Sequence, residues 1–150
     1  MDVRVVEQQG QGDIEVTIRC APGDERAARL AERIRASQGR LAGYEGGGLT
    51  QRLVSIDQVS CVAFENQRAW LCLTDGTRLE SPLRLFELEE ALDGTEFVRA
   101  SRQDLVNFDH VRAIRPEPGS RLMLTLDGGR RVLATRTYTP GIKKKIGIRR

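Results

Sequence analysis

The sequence predicts a mostly β fold, in which small antiparallel sheets are joined through one crossover helix and preceded by a short strand-helix appendage. Three observations carry this expectation. Alternating apolar runs flank short turns such as "TDGT" and "DGG", the signature of hairpins. A single helical run, "SPLRLFELEEALDG", interrupts them, too little helix for the crossovers that a parallel sheet demands. Finally, five glycines crowd between Gly39 and Gly48, so the sequence predicts a linker there, dividing an appendage at residues 1–45 from a main domain at residues 46–150.

Taken in order, "DIEVTIRC" alternates Ile14, Val16, Ile18 and Cys20 with polar neighbours and predicts a half-buried strand. "APGDERAARLAERIRASQG" opens with Pro22 and acidic residues, places Ala27, Leu30, Ala31 and Ile34 at helical spacing, and stops at Gly39. It predicts a short amphipathic helix whose opposite face carries Arg26, Arg29 and Arg33. After the linker, "VSCVAF" and "AWLCLT" flank "ENQR" as a hairpin with Arg68 at its tip, and "TDGT" turns the chain into "RLES". In the helical run, Ser81 suits the N-cap, Pro82 the first turn, Leu85, Leu88 and Leu92 one buried face, and Gly94 the stop. Strands return with "FVRAS", "VRAIRP", "RLMLTL" and "RRVLAT", before a basic tail, "TPGIKKKIGIRR".

At 150 residues the chain is long enough for one domain with a core of its own, or one domain and an appendage. Its 39% hydrophobic and 30% charged residues are those of a globular protein, and no apolar run approaches a bilayer-spanning length. The start, "MDVRVVEQQGQGD", lacks the basic-then-apolar order of a secretory signal, so a cytoplasmic location is expected. Cys20, Cys61 and Cys72 lack metal-ligand spacing and read as buried free thiols in strands, and His110 is the one histidine. Neither a zinc site nor a histidine-based triad follows from that set, so no catalysis, metal or cofactor is expected.

Charge points to a partner. Residues 1–97 hold 11 arginines against 17 acidic residues, a balance of −6, whereas residues 98–150 hold 10 arginines and 3 lysines against 4 acidic residues, a balance of +9. "EFVRASRQDLVNFDHVRAIRP" mixes strand-like apolar residues with Arg99, Arg102, Arg112 and Arg115, a pattern suited to a surface facing a polyanion. Arginine presents a planar fork of donors to guanine edges and phosphates, while the run Lys143, Lys144, Lys145 suits phosphate. Aromatic residues are 5% of the chain, with no paired platform for stacking single-stranded bases, which favours double-stranded DNA. A β-rich protein-interaction or RNA-binding adaptor holding an acidic partner through its basic tail is the alternative. Stable membrane association is not expected from so short a basic patch without an apolar face.

Two stretches, "LRLFELEEALDGTEFVRASRQDLVNFDHVRAI" and "LMLTLDGGRRVLATRTYTPGIKKKIGI", together resemble the LytTR DNA-binding domain family of bacterial transcription regulators over about residues 50–148. In that family a Leu-rich helix precedes a Phe-x-Arg-x-His-x-Ser-x-x-Val-Asn-type segment, a hairpin and a Ser-Arg-x-Tyr-type motif. Here Ser101 stands for the histidine and Gln103 for the serine. The resemblance implies an elongated, almost all-β domain whose loops enter successive major grooves. It implies base reading by Arg68, Arg102 and Arg136, with phosphate contacts from Ser101, Thr135, Lys143, Lys144 and Lys145. Asn107, matching the family's asparagine, is expected to hold a turn. About 45 residues precede the match, too few for the receiver domain that many members carry, so the compact form is expected, with residues 1–45 serving a homodimer or another contact.

Overall fold

The computed structural model describes residues 1–147; Ile148, Arg149 and Arg150, the end of the expected basic tail, lie outside the described residues. The elements follow the order α1 (Glu25–Ser37), β1 (Arg40–Glu45), β2 (Gln51–Ser55), β3 (Val59–Glu65), β4 (Arg68–Leu73), β5 (Arg78–Glu80), α2 (Leu85–Ala91), β6 (Phe97–Arg99), β7 (Asp104–Asn107), β8 (Val111–Glu117), β9 (Arg121–Leu126), β10 (Arg131–Ala134) and α3 (Thr139–Lys145). One-turn 3-10 helices at Ile56–Gln58, Phe108–His110 and Asp127–Gly129 join β2 to β3, β7 to β8 and β9 to β10. The fold is mostly β, and every strand pairing is antiparallel.

Two sheets form, one of seven strands in the order β2-β1-β5-β4-β3-β7-β6 and one of three in the order β10-β9-β8. The larger has both faces covered. On one face Ala36 of α1 and Leu85, Leu88 and Leu92 around α2 pack against Leu41, Leu71, Leu79 and Leu105. On the other face Cys61, Ala63, Cys72 and Val106 meet Leu122, Leu124, Leu126 and Val132 of the smaller sheet, with Ile142 of α3. The period of two in "RLMLTL" is what makes this possible: Leu122, Leu124 and Leu126 are buried, and the residues between them point away.

Several elements differ from expectation. The glycine-rich stretch is a hairpin, not a linker: β1 pairs with both β2 and β5, so residues on either side of position 45 share one sheet. Its glycines have separate reasons. A Cβ on Gly43 would meet the Leu79 Cβ at 2.5 Å, so β1 can approach β5 only with glycine there. Gly46 and Gly47, at φ of +51° and +72°, make the turn. A second departure is "DIEVTIRC", which forms no strand; Ile14 and Val16 remain 89% and 58% exposed because no sheet edge takes them, and Cys20 is exposed instead of buried. Third, the basic tail, for which the sequence predicted no element, forms α3 after β10, with Ile142 fully buried.

Helix α1 is fastened to the sheet by a buried carboxylate. Glu32, 1% exposed, accepts from the Ala42 backbone N–H at 3.0 Å and from Arg35 Nη1 at 2.9 Å. Helix α2 begins later than Ser81 suggests: the Ser81 hydroxyl accepts from Leu83 N in the preceding turn, and Glu87 accepts from Arg84 N at the true start. Its three leucines are buried as the periodicity predicts. No helix among the described residues is long and apolar enough to cross a membrane.

Candidate nucleic-acid interface

Strand direction gathers several loops at one end of the layered sheets. The register Glu65↔Arg68 closes the β3–β4 turn there, and Ala63↔Asp104 places the β6–β7 loop beside it. Backbone bonds join them, Phe64 N donating to Gln103 O at 2.7 Å. Thr135 N, just after β10, donates to Ala100 O at 2.9 Å, which draws the β10–α3 loop to the same place. The row Pro116↔Leu122↔Ala134 shows that the β8–β9 turn, Pro118–Ser120, also opens at this end. The 3-10 helices lie at the opposite end.

Arg99 knits this end together. Its Nε donates to Ser101 O at 2.6 Å, its Nη2 to Arg102 O at 2.8 Å, and its Nη1 to Glu89 of α2 at 3.3 Å. The guanidinium also lies 5.9 Å from the centre of the Tyr138 ring. One side chain thus ties the β6–β7 loop to α2 and to the residue that precedes α3. The sequence pointed to Arg99 only as a cation facing outward; its side chain is 17% exposed and bonded to the loop itself.

The expected contact residues fall into different situations. Arg102 and Arg136 are exposed on their loops, and neither has a carboxylate within 4.0 Å among the described residues. Arg68 is not at the hairpin tip. Asn66 and Gln67 occupy it with φ of +52° and +65°, and Arg68 begins β4, paired to Glu80 at 2.9 Å. Ser101 is 6% exposed; its hydroxyl donates to Asp104 Oδ2 at 2.7 Å and accepts from Gln103 N at 3.1 Å. A buried hydroxyl so engaged shapes the loop from inside and has no hydrogen left for a phosphate. Thr135 is half-buried, its carbonyl accepting from Tyr138 N, Thr139 N and the Thr139 hydroxyl.

Asn107 is 1% exposed. Its Oδ1 accepts from Asp109 N, capping the 3-10 turn, and its Nδ2 donates to Val59 O at 3.0 Å. The second bond fixes β7 to the start of β3, a long-range contact that a local motif cannot announce. Helix α3 runs back along β6 from Tyr138 to Lys145, which pairs with Glu96 at 3.2 Å. Lys143 and Lys144 have no carboxylate within 4.0 Å among the described residues. Arg121 was not singled out by the sequence. It follows the β8–β9 turn, its side chain bonds only to Pro118 O among the described residues, and it adds a cation to the loop end.

Charge is therefore sorted by pairing as well as by sequence. Of the arginines in residues 1–97, eight have acidic partners: Arg4, Arg26, Arg29, Arg33, Arg35, Arg52, Arg68 and Arg78. In the basic part Arg102, Arg121, Arg130, Arg131 and Arg136 have none among the described residues. Cations without acidic partners raise the local potential toward a polyanion instead of cancelling within the fold. Among the described residues no group of histidine, cysteine and carboxylate side chains could hold a metal.

A family model described as the LytTr DNA-binding domain matches residues 50–147. Among solved structures the chain is similar to the LytTr DNA-binding domain of a protein described as a methyl-accepting/DNA response regulator from Bacillus cereus. The identity is 23%, the TM-score 0.66, and the match covers 73% of this chain and 97% of that chain. At that identity the likeness is one of fold. No curated protein matches the chain.

Proposed function

This chain belongs to the LytTR DNA-binding domain family, and from that premise we propose that it is a sequence-specific regulator that reads duplex DNA with the loop end described above. Arg102 and Arg136 are the base-reading side chains, each offering a bidentate fork to a guanine edge in the major groove. Arg68 reads from the start of β4, beside the neighbouring turn, and exchanges Glu80 for its DNA contact on binding. Lys143 and Lys144 hold phosphates along the flank of α3, while Lys145 stays with Glu96. Ser101, Thr135 and Asn107 set loop shape. The work is binding, with no catalytic step or cofactor, and takes place where DNA is, in the cytoplasm. Residues 46–150 carry the DNA surface, and residues 1–45 bring two copies together on the operator.

The observation that carries this reading is the convergence on Ala100. The loops bearing Arg102 and Arg136, distant in sequence, are hydrogen-bonded to one residue, and neither arginine is neutralised by a neighbouring carboxylate among the described residues. Selection of bound duplexes from a random pool tests it. Enrichment of two or more short motifs spaced by about one helical turn is expected, since the loops enter successive grooves. Recovery of an unenriched pool would mean that the surface binds DNA, if at all, without reading it.

A further inference from the structure

Two buried thiols take no part in the DNA surface, and they face each other. Cys61 of β3 is the register partner of Cys72 of β4, and both belong to the sheet face that receives Leu122, Leu124 and Leu126. Residues directly opposed on antiparallel strands have Cα atoms about 4.5 to 5.5 Å apart, inside the roughly 4.4 to 6.8 Å that a disulfide spans. The thiols are already hydrogen-bonded, Cys61 keeping its hydrogen and donating it to Cys72. Directly before Cys61 the register shifts, with Ser60 as the extra residue of a β-bulge whose hydroxyl donates to Cys72 O at 3.1 Å. A bulge is where a paired strand can re-aim a side chain, so the two sulfurs can close on each other without moving the rest of the ladder.

The two members differ in the ways that a reacting pair requires. Cys72 is the one that solvent reaches, at 4% exposure against 0% for Cys61. It is also the one drawn toward the nucleophilic thiolate, by the hydrogen bond from Cys61 and then by the charges of Arg130 and Arg78. So little exposure closes it to a bulky alkylating reagent, but hydrogen peroxide is hardly larger than water. We propose that Cys61 and Cys72 form a reversible oxidation site, at which hydrogen peroxide converts the two thiols into an intramolecular disulfide inside the folded chain. The Cys72 sulfur attacks one peroxide oxygen; the O–O bond breaks, a sulfenic acid forms, and the departing hydroxide takes up the proton that Cys72 had lost and leaves as water. The Cys61 sulfur then attacks the Cys72 sulfur. The S–S bond forms as the S–O bond breaks, and the second hydroxide leaves with the Cys61 proton, again as water. Two electrons pass from the thiol pair to the peroxide, and a dithiol reductant returns them to the sulfurs.

Peroxide treatment of the folded Cys20→Ser chain tests this, because Cys20 is exposed and its replacement leaves Cys61 and Cys72 as the only thiols. After quenching, the chain is denatured, alkylated and weighed. The expected product has lost two hydrogens and takes up no alkylating group, but takes up two after reduction with dithiothreitol. Its rate of formation should be unchanged by urea well below the unfolding midpoint. A chain that still takes up two alkylating groups, after a peroxide dose that fully oxidises Cys20 in the parent, overturns the site, as does oxygen added at Cys72 without the S–S bond. A rate that climbs with urea overturns it too, since the disulfide would then be a product of the unfolded chain. Cys20→Ser/Cys72→Ala checks the order of attack: its Cys61 thiol should survive the same dose, and oxygen added there at the rate of disulfide formation would show that Cys72 is not the thiol that peroxide meets first.

Discussion

Arg102 and Arg136 differ from the lysines of α3 in what their geometry can distinguish. A guanidinium discriminates the donor and acceptor pattern of a base edge, whereas an ammonium on a flexible stem responds to phosphate charge. Arg102→Ala and Arg136→Ala are each expected to cost about 1 to 3 kcal/mol on the selected site and much less on scrambled duplex. Lys143→Ala and Lys144→Ala should weaken both duplexes alike and lower the salt slope by about 0.9 for each phosphate no longer neutralised. Titrations at several salt concentrations separate the two patterns; equal losses on both duplexes from the arginine variants would reduce those residues to a general cationic surface. The exposed loop positions of both arginines were legible in the sequence, because a cation in a loop after a strand has a position that motif order preserves. The engagement of Ser101 with Asp104 was not, since a serine in a motif carries no mark of where its hydrogen goes. Thiols show the same limit. Cys61 and Cys72 are buried opposite each other on β3 and β4, and the hydrogen bond with Cys72, together with burial, pushes the Cys61 thiol up. Cys72 is drawn the other way, to about 7, by its bond from Cys61, yet at 4% exposure burial controls its reactivity. Native protein should therefore take up one alkylating group, at Cys20, and denatured protein three, as mass spectrometry would count; rapid native modification of Cys72 would contradict this.

The β1–β2 hairpin and α1 form one assembly, and two residues control it. Glu32 neutralises a buried backbone N–H, so Glu32→Ala leaves Ala42 N unpartnered beneath α1 and should lower stability by about 1 to 3 kcal/mol. Glu32→Gln keeps an acceptor oxygen at the same reach and should lose less. Gly43→Ala drives a methyl into the Leu79 side chain across β1–β5, at an overpacking cost of about 1 to 3 kcal/mol. Chemical denaturation of the three variants checks the order; a Gly43→Ala chain as stable as the parent would mean that β1 can move off β5 freely. These residues also explain what the sequence hid. A glycine that permits close approach and glycines that make a turn look alike in composition, so their density suggested a linker where a hairpin stands. In contrast, β9 and β10 were legible because their alternation and their turn say the same thing twice, and β3 and β4, largely buried on both faces, because their apolar runs flank a turn. The run "DIEVTIRC" alternates just as well, but alternation reports a face that wants cover, and only the rest of the molecule decides whether cover exists.

Across the whole molecule the loop end and the opposite end are held by different means. The loop end is braced by Arg99, while at the far end the two sheets are clasped through one carboxylate. Asp127, in the turn between β9 and β10, accepts from His110 Nδ1 at 2.7 Å and from Arg112, and His110 Nε2 in turn meets Asp57 O at 2.6 Å, in the turn that leads into β3. Both partners of the imidazole are acceptors. The bonds from His110, then from Arg112, hold the Asp127 carboxyl below the usual carboxylate range. Its folded value is thus lower than its unfolded one, so the clasp contributes stability that is fully present above about pH 4, the unfolded carboxylate value, and is lost as pH falls through the folded value. Asp127→Asn removes the titrating group. It should lower the urea midpoint at pH 7 and make that midpoint fall less steeply than the parent's between pH 5 and pH 2, about where carboxylates bind protons. Because the clasp is remote from the loop arginines, the variant should bind the selected duplex at pH 7 as the parent does while it remains folded. Parallel urea curves for parent and variant across the acid range would show that Asp127 does not couple the sheets to pH, and a loss of DNA binding in the folded variant would show that the two ends are not independent.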